Sequence, residues 1–135
     1  MFVSHAFITH KNKILLFHRD NKPNIKDPDC WDVIGGHSDE GETPDQTLVR
    51  EIKEELNVTP SKYKQIFSEP DVWQVETYVY HIQLTDDEVK QIKLGDEGQE
   101  VKFFTLNELA ELKLTQNLTK YLKNYSSLVK ELLEA

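Results

Sequence analysis

The feature that most constrains the fold of this chain is a helix whose start is signalled by several residues at once. Thr43 is a favourable N-cap, Pro44 suits the first helical position, and Gln46 completes a capping box with Thr43. Three aliphatic residues then recur at a spacing of four and form one apolar stripe: Leu48, Ile52 and Leu56. The sequence therefore predicts an amphipathic helix over residues 44–56, followed by Asn57 as a left-handed cap.

Short runs of β-branched and aromatic residues surround this helix and predict strands. FVSHAFIT and KILLFHR flank the polar HKNK and predict a hairpin, and WDVI predicts a strand that ends at Gly35 and Gly36. Further strands are predicted at KYKQIFSEP, WQVETYVYHIQL and VKFFTL. Asn107 is predicted to cap a short helix, and apolar residues at helical spacing predict one terminal helix over residues 116–133. The fold class is therefore α+β, with a mixed, largely antiparallel sheet and helices packed on it.

The composition indicates a globular chain without membrane or secretory signals. A length of 135 residues suits a single domain over residues 1–135. No apolar run approaches the roughly 20 residues of a transmembrane helix, and the N-terminus lacks the pattern of a signal peptide. Cys30 is the one cysteine, which excludes an internal disulfide and a cysteine-built zinc site. We therefore expect a cytoplasmic protein that does not bind membranes.

The net charge of −8 narrows the range of partners. An acidic surface argues against nucleic-acid binding, because such binding requires Lys and Arg side chains that neutralise phosphates. A small anionic substrate remains compatible, provided that a divalent cation lies between the substrate and the protein. No feature of the sequence indicates the oligomeric state.

The predicted helix carries three carboxylates on one narrow stripe. At about 100° per residue, Glu54 and Glu55 lie roughly −60° and +40° from Glu51 on a helical wheel. Like charges at these spacings repel one another, so a bound cation would stabilise the arrangement, and oxygen ligands suit Mg²⁺ or Mn²⁺. A solvated acidic face, partly paired with Arg50 and Lys53, is the alternative that the spacing alone leaves open.

The glycine pair before the helix is the second part of the candidate site. Glycine after a strand lets the backbone approach a ligand closely, so the Gly35 carbonyl is a candidate metal ligand. Glu42 directly precedes the predicted N-cap and is expected to point into the same region, where it is a candidate substrate-binding residue.

From Gly36 to Val58 the chain has the form G-x5-E-x7-R-E-U-x-E-E-x-G-U, in which U is a bulky aliphatic residue. This segment resembles the signature of the Nudix hydrolases. Asn57 stands where the family has a glycine, and Ile34 stands where a proline often precedes the glycine pair. The resemblance implies the family's α/β/α sandwich. It also implies hydrolysis of a diphosphate linkage in a nucleoside diphosphate joined to another group.

The resemblance also implies roles for individual residues. Arg50 would orient the glutamates through bidentate pairing. The general base that takes a proton from the attacking water would be Glu54, or Glu97, which resembles a loop glutamate that reaches the metal site in nucleotide-sanitising members. Glu100, just before a predicted strand, is a third candidate for the base. The ligands of Mg²⁺ (or Mn²⁺) would be Gly35, Glu51, Glu54 and Glu55.

Two further residues are candidates for substrate binding. Arg19, at the end of the second predicted strand, could contact a phosphate, although a surface role is the alternative. Asn117 resembles the asparagine that reads the purine edge in the branch that removes 8-oxo-dGTP, and a plain helix-start residue is the alternative. Oxidised nucleoside triphosphates, nucleotide sugars, ADP-ribose and dinucleoside polyphosphates all fit the signature as small-molecule nucleotide substrates.

Two other functions are weighed against hydrolysis. CWDVIGGHSDEGE also resembles the isopentenyl-diphosphate isomerase branch, but that chemistry needs a cysteine two residues before His37, where Gly35 stands. A non-catalytic nucleotide-sensing module is the second alternative. Such modules usually lose carboxylates of the signature, whereas this chain retains all of them.

Overall fold

The computed structural model describes residues 1–134 and begins with the predicted hairpin. Strand β1 (Val3–His10) pairs antiparallel with strand β2 (Lys13–His18). Lys11 and Asn12 form the two-residue turn with φ values of 49° and 65°. Both values lie in the left-handed region that a tight hairpin turn requires.

Ten further elements follow, and together they form one sheet with helices on both faces. They are β3 (Trp31–Asp32), β4 (Ile34–His37), α1 (Pro44–Leu56), β5 (Tyr63–Pro70), β6 (Glu76–Gln83), α2 (Asp86–Gln91), β7 (Glu100–Phe104), α3 (Leu106–Leu109), α4 (Gln116–Asn124) and α5 (Ser126–Glu134). The strand order is β3-β2-β1-β6-β5, while β4 pairs with β1 and β7 pairs with β2. Among the described residues β1 and β6 are parallel and the other pairs antiparallel, which confirms the predicted mixed, largely antiparallel sheet.

Strand β1 changes its partner along its length, and this change opens a fork in the sheet. Residues 3–6 of β1 pair with β4, whereas residues 8–10 pair with β2. Strand β2 then leaves β1 and pairs through Phe17 and His18 with β3. The two prongs of this fork are the strand pair β1–β4 and the strand pair β2–β3. Because Val33 alone joins β3 to β4, the prongs separate at this residue, and a cleft lies between them.

Each face of the sheet has its own buried cluster, because successive side chains of a strand point to opposite faces. The face covered by α1 buries Ala6, Ile8, Leu15, Ile34, Leu48, Ile52, Leu56, Val58, Tyr80, Ile82 and Leu84. The face covered by α3, α4 and α5 buries Phe7, Ile14, Leu16, Val33, Val79, Phe104, Leu109, Leu118, Tyr121, Val129 and Leu133. Burying one such aliphatic side chain contributes about 1.5–3 kcal/mol. The predicted α/β/α sandwich is therefore confirmed.

Helix α1 has the bounds and the caps that the sequence predicts. The Thr43 hydroxyl accepts a hydrogen bond from the Gln46 N–H at 3.3 Å, and the Gln46 side chain accepts one from the Thr43 N–H at 3.0 Å. Asn57 ends the helix in the left-handed conformation, with φ 60° and ψ 28°. The predicted apolar stripe is buried against the sheet.

Three predicted boundaries are wrong. The strand does not end at the glycine pair, because Gly35 and Gly36 pair with β1 and β4 continues to His37. Asn107 does not cap α3. Thr105 caps it instead and forms a capping box with Glu108. The long strand starts at Glu76 rather than at residue 73.

The predicted terminal helix is also wrong as one element, since it is two helices that meet at Tyr125. Tyr125 has φ −127° and ψ 31°, and its ring stacks on Phe67 with 3.8 Å between the ring centroids. A contact between the helix and strand β5 thus accompanies the break. Among residues 1–134, no helix combines the length and the apolar character needed to cross a membrane.

Candidate active site

Two adjoining cavities occupy the cleft at the fork of the sheet. The carboxylate cavity has a volume of about 650 Å³ and is lined by Glu51, Glu54 and Glu55 of α1 together with the glycine pair and Glu97. The fork cavity has a volume of about 250 Å³ and extends between the prongs toward the start of α4. Both cavities are lined by Arg19, Gly35, Gly36, His37, Glu55 and Glu97. The structure thus brings most of the predicted site residues to one place.

The glycine pair lets α1 pack closely against β4. A Cβ atom added at Gly36 would lie 2.6 Å from the carboxylate carbon of Glu51. A Cβ atom at Gly35 would lie 2.0 Å from the Ser4 carbonyl oxygen, on the neighbouring strand. Side chains at these two positions would therefore displace either Glu51 or β1, and glycine leaves the Glu51 carboxylate at the wall of the cavity.

Arg50 connects the carboxylates on one side of α1. Its Nη1 donates to the carboxylates of Glu51 and Glu54 at 2.9 Å and 3.2 Å. Its Nη2 donates to the His37 carbonyl at 2.9 Å, which ties α1 to the end of β4. The bidentate pairing predicted for these glutamates is not observed, because Nη1 alone contacts Glu51 and Glu54 and the bidentate partner of Arg50 is Glu42.

Glu42 is not brought to the cavities, contrary to the expectation from the sequence. Its carboxylate accepts hydrogen bonds from Arg50 at 2.8 Å and 3.0 Å, from the Thr47 hydroxyl at 2.9 Å and from the Asp39 N–H at 2.7 Å. The Arg50 guanidinium and these further donors lower the pKa of Glu42 to about 2. Glu42 lines neither cavity, and its contacts instead anchor Arg50.

Glu55 lacks such compensation, and Glu51 has it only in part. Burial, with repulsion from Glu51 and Glu97, raises the pKa of Glu55 to about 9, although the Gly35 backbone opposes the shift. Burial also raises the pKa of Glu51, against the opposing effect of Arg50. A cluster of oxygen donors whose negative charge is destabilised by its surroundings fits a hard divalent cation.

The side chains are not already arranged around such an ion. Within residues 1–134, no three Asp, Glu, His or Cys side chains form a group with the geometry of a metal site. The contacts of Arg50 with Glu51 and Glu54 give the physical reason, since they draw two of the carboxylates toward the guanidinium. A bound cation would have to compete with Arg50 for these oxygens.

Glu97 reaches the cavities on a loop that is tied down at both ends. The Gly95 N–H donates to the Glu55 carbonyl at 2.9 Å, and the Gln99 N–H donates to the His18 carbonyl at 2.8 Å. Glu97 lies between these two ties and lines both cavities. Glu100 instead begins β7 opposite His18 and lines neither cavity.

Arg19 and Asn117 also lie in the cleft. Arg19 lines both cavities, and its Nη2 donates to the Lys26 carbonyl at 2.7 Å. Asn117 lines the fork cavity from the first turn of α4, and its Oδ1 accepts a hydrogen bond from the Val72 N–H at 2.9 Å. Their side chains are thus within the region predicted for substrate, although each already contacts the protein.

Several polar residues of the fork cavity are not among the site residues predicted from the sequence, including His5, Asp32 and Asp71. Burial lowers the pKa of His5 to about 4, and its Nδ1 lies 3.1 Å from the Tyr121 hydroxyl. Burial raises the pKa of Asp32 to about 6. A signal was present for His5 and Asp32, because each is a polar residue inside an apolar strand.

Comparisons with known proteins identify the family of this chain. The family model of the NUDIX domain matches residues 3–125. An ADP-ribose pyrophosphatase from Methanocaldococcus jannaschii is 35% identical over 123 residues, which cover 89% of this chain and 69% of that protein.

Two solved structures show the same fold at lower identity. The NUDIX domain of Shewanella oneidensis NrtR, complexed with ADP ribose, has a TM-score of 0.71 and 22% identity, covering 95% of this chain and 88% of that chain. A mutT/nudix family protein from Listeria innocua has a TM-score of 0.76 and 21% identity, covering 99% and 97%. The family that the signature predicts is thereby confirmed, and the chain belongs to the Nudix family as a Nudix hydrolase.

Proposed function

We propose that this Nudix hydrolase is a pyrophosphohydrolase that depends on Mg²⁺ or Mn²⁺. It cleaves the diphosphate linkage of a nucleoside diphosphate joined to another group, and ADP-ribose is the first substrate to test. The observation that carries the proposal is the meeting of the α1 carboxylates, Glu97 and the glycine pair at the mouth of the fork cavity. The similarity to an ADP-ribose pyrophosphatase supports the choice of substrate.

Nudix hydrolases generally use divalent metal ions, and the donors of the carboxylate cavity fit one. The residues that would hold it are Gly35, Glu51, Glu54 and Glu55. When bound, the ion neutralises the diphosphate and activates water for attack on phosphorus.

The protein side chains supply the rest of the chemistry. Arg50 holds Glu51 and Glu54 in place and is itself held by Glu42. In the described part of the chain, no hydrogen bond or ion pair engages the Glu97 carboxylate, whereas Glu54 is paired with Arg50. Glu97 is therefore the better placed of the two to take the proton from the attacking water. Arg19, on the wall shared by both cavities, would contact a phosphate oxygen of the substrate.

The isomerase alternative has no residue to carry it. Gly35 occupies the position at which that reaction needs a cysteine. Cys30 is 4% exposed and lines neither cavity, so it cannot take over the role. The sensing alternative remains distinct from hydrolysis, because it predicts binding without product release.

The test is a panel of nucleotide substrates with product analysis by mass spectrometry. We expect hydrolysis that EDTA abolishes and Mg²⁺ or Mn²⁺ restores. Glu54→Gln should reduce kcat by orders of magnitude, and Glu97→Gln should reduce it by about 100-fold, the usual size of a general-base effect. Glu100→Gln is the matched control, since this neighbouring carboxylate lines neither cavity.

The outcomes separate the possible roles. Tight binding of ADP-ribose without product from the folded wild-type protein would favour a sensing module. Loss of activity in Glu100→Gln but not in Glu97→Gln would show that Glu97 is not the general base. Products analysed in ¹⁸O-labelled water identify the phosphorus that is attacked.

A further inference from the structure

The place of Glu97 depends on the main chain around it. Its carboxylate has no ion pair within residues 1–134, so no charged side chain of the protein fixes it. The next residue, Gly98, has φ +83° and lies directly on the Phe17 ring, because a Cβ atom there would come within 2.3 Å of a ring carbon. Gln99 then donates its N–H to the His18 carbonyl at 2.8 Å. Gln99 therefore ties the main chain down two residues from the proposed base.

The Gln99 side chain makes a second connection, to the chain that follows β2. Its Nε2 donates to the Arg19 carbonyl at 2.8 Å and to the Asp29 carboxylate at 2.9 Å. An amide nitrogen carries two hydrogens, so both are used in these contacts. Both partners are acceptors, so the connection requires a donor at this position. The main chain and the side chain of Gln99 together join the loop of Glu97 to the end of β2.

The Asp29 carboxylate, which accepts from Gln99, is itself held in place. His18 Nε2 lies 2.9 Å from the Asp29 Oδ1 atom. The His18 ring stacks on Trp31, with 4.4 Å between the ring centroids and 9° between the planes. The pKa of Asp29 is lowered, mainly through the hydrogen bond from Gln99. Gln99 is thus attached to an anion that a stacked pair of rings fixes.

Gln99 bridges two residues that approach the cavities from different parts of the sheet. Arg19 ends the β2 side and Glu97 lies on the loop before β7, and both residues line both cavities. Gln99 itself is exposed and lines neither cavity. It can therefore affect the reaction only through the residues that it holds.

We propose that Gln99 is a positioning residue for hydrolysis, which holds the loop of Glu97 against the end of β2 so that the base keeps its place beside the carboxylates of α1. This assignment rests on the proposed function, because it takes Glu97 to be the general base. A shift of about 1 Å in a reacting group can reduce a rate about 100-fold. Hydrogen bonds of an exposed side chain contribute only modestly to global stability, so variants at this position should fold.

The first test exchanges the donor for an acceptor. Gln99→Glu keeps the size of the side chain but places a carboxylate against the Asp29 carboxylate and the Arg19 carbonyl. On the best substrate of the panel we expect kcat to fall about 10- to 100-fold, while KM changes less than about threefold. Gln116→Glu is the matched control, because the Gln116 amide donates to Asp27 of the same loop at 3.1 Å, and it should keep wild-type kcat. An equal loss of kcat in the control would refute the role of Gln99.

The second test asks whether Gln99 acts through Glu97. In a double-mutant cycle, Gln99→Ala should lower kcat about tenfold or more in the wild-type background and less than about twofold in the Glu97→Gln background. Losses that simply multiply would show that Gln99 supports the protein in another way, and would refute the proposal. Unchanged kcat in Glu97→Gln alone would refute the base assignment of the proposed function, and the role of Gln99 with it.

Hydrogen exchange separates a failure of this assignment from a failure of the proposed function. Gln99→Glu should speed the exchange of the amides of residues 95–98, while the amides of α1 and of the buried strands exchange as in the wild-type protein. This measurement needs no turnover, so it applies even if folded wild-type protein hydrolyses no substrate. Faster exchange confined to residues 95–98 supports the holding of the loop by Gln99, and exchange equal to that of the wild-type protein refutes it.

Discussion

The carboxylates of Glu42 and Glu55 belong to the same signature segment, Gly36 to Val58, but they have opposite surroundings. Arg50 meets Glu42 with two short hydrogen bonds and helps to lower its pKa to about 2. Glu55 is buried beside Glu51 and Glu97, and burial is the main reason that its pKa rises to about 9. The same chemical group is thus stabilised as an anion at one end of the segment and destabilised as an anion at the other.

This difference separates the part of the signature that positions Arg50 from the part that we propose binds the metal ion. A charge with an internal partner is fully compensated when the protein folds, so Glu42 contributes to the position of Arg50. Glu55 has no such partner, so the folded protein keeps it protonated at neutral pH at a cost in stability, and a cation that favours the ionised form can lower the free energy. Glu51 lies between the two regions, because it contacts Arg50 and also lines the carboxylate cavity.

The largest expected effect comes from neutralising each carboxylate in turn. Glu55→Gln should reduce kcat at least about 100-fold, because it removes a proposed metal ligand. The same change should stabilise the metal-free protein at pH 7 by on the order of 3 kcal/mol, since one pKa unit corresponds to about 1.4 kcal/mol. Glu42→Gln should lower the melting temperature of the metal-free protein and reduce activity less. Calorimetry and kinetics on both variants provide the measurement.

If the two variants change the stability of the metal-free protein in the same direction, the contrast between the two regions is lost. If both variants stabilise the metal-free protein, Arg50 does not compensate Glu42 as the geometry indicates. If both destabilise it, another group of the protein stabilises the Glu55 side chain in solution. Leu48→Ala is a useful reference, because it should destabilise the protein whatever the metal concentration.

The second effect is a dependence of stability on pH. The folded protein holds the Glu55 proton up to about pH 9, whereas an unfolded chain releases it near the ordinary glutamate pKa of about 4.3. The folded state therefore binds more protons between these values, and the stability of the metal-free protein falls as the pH rises through them. Between pH 6.5 and 8.5 this loss amounts to about 2–3 kcal/mol.

In this pH window the slope reports Glu55 rather than His5 or Asp32. The pKa of His5 is lowered to about 4, so His5 is neutral above pH 6.5 in the folded protein, and in the unfolded chain it loses its remaining proton, about half at pH 6.5, by about pH 7.5. The pKa of Asp32 is raised to about 6, so Asp32 is mostly ionised in the same window. Urea unfolding in EDTA should show the slope in the wild-type protein and a flatter line in Glu55→Gln. An identical slope in both would assign it to another group.

Local signals explain which parts of the fold the sequence could predict. Thr43, Pro44 and Gln46 act within one turn, so the start of α1 follows from them without tertiary information. The capping box of Thr105 and Glu108 is equally local, and its Thr-x-x-Glu spacing is a stronger signal for the start of α3 than Asn107.

Other parts of the fold depend on distant contacts. The course of β4 through the glycine pair depends on pairing with β1, some 30 residues earlier, and the break at Tyr125 accompanies stacking on Phe67. Neither partner could be identified from periodicity.

The same distinction applies to the candidate site. Helical geometry alone places Glu51, Glu54 and Glu55 on one stripe, and they do line one cavity. Glu97 was reached through the family resemblance rather than through spacing. The pairing of Glu42 with Arg50 and the position of Asp32 depend on how the loops and the fork of the sheet fold, which no local pattern encodes.

The smallest expected effect tests whether the loop before α1 belongs to the region in which Glu42 is paired with Arg50. Gly41 has φ +83° in a turn closed by the Glu42 N–H and the Asp39 carbonyl at 3.1 Å, and a Cβ atom there would meet nothing within 4 Å. Gly41→Ala should therefore destabilise the protein by roughly 1 kcal/mol through backbone strain alone. Gly41→Asn should lose less, because asparagine tolerates the left-handed region. Both variants should keep wild-type kcat, because the turn touches Arg50 only through flexible side chains. A fall in kcat as large as that of Glu42→Gln would show that the loop controls the carboxylate cavity, and the two regions would then be one.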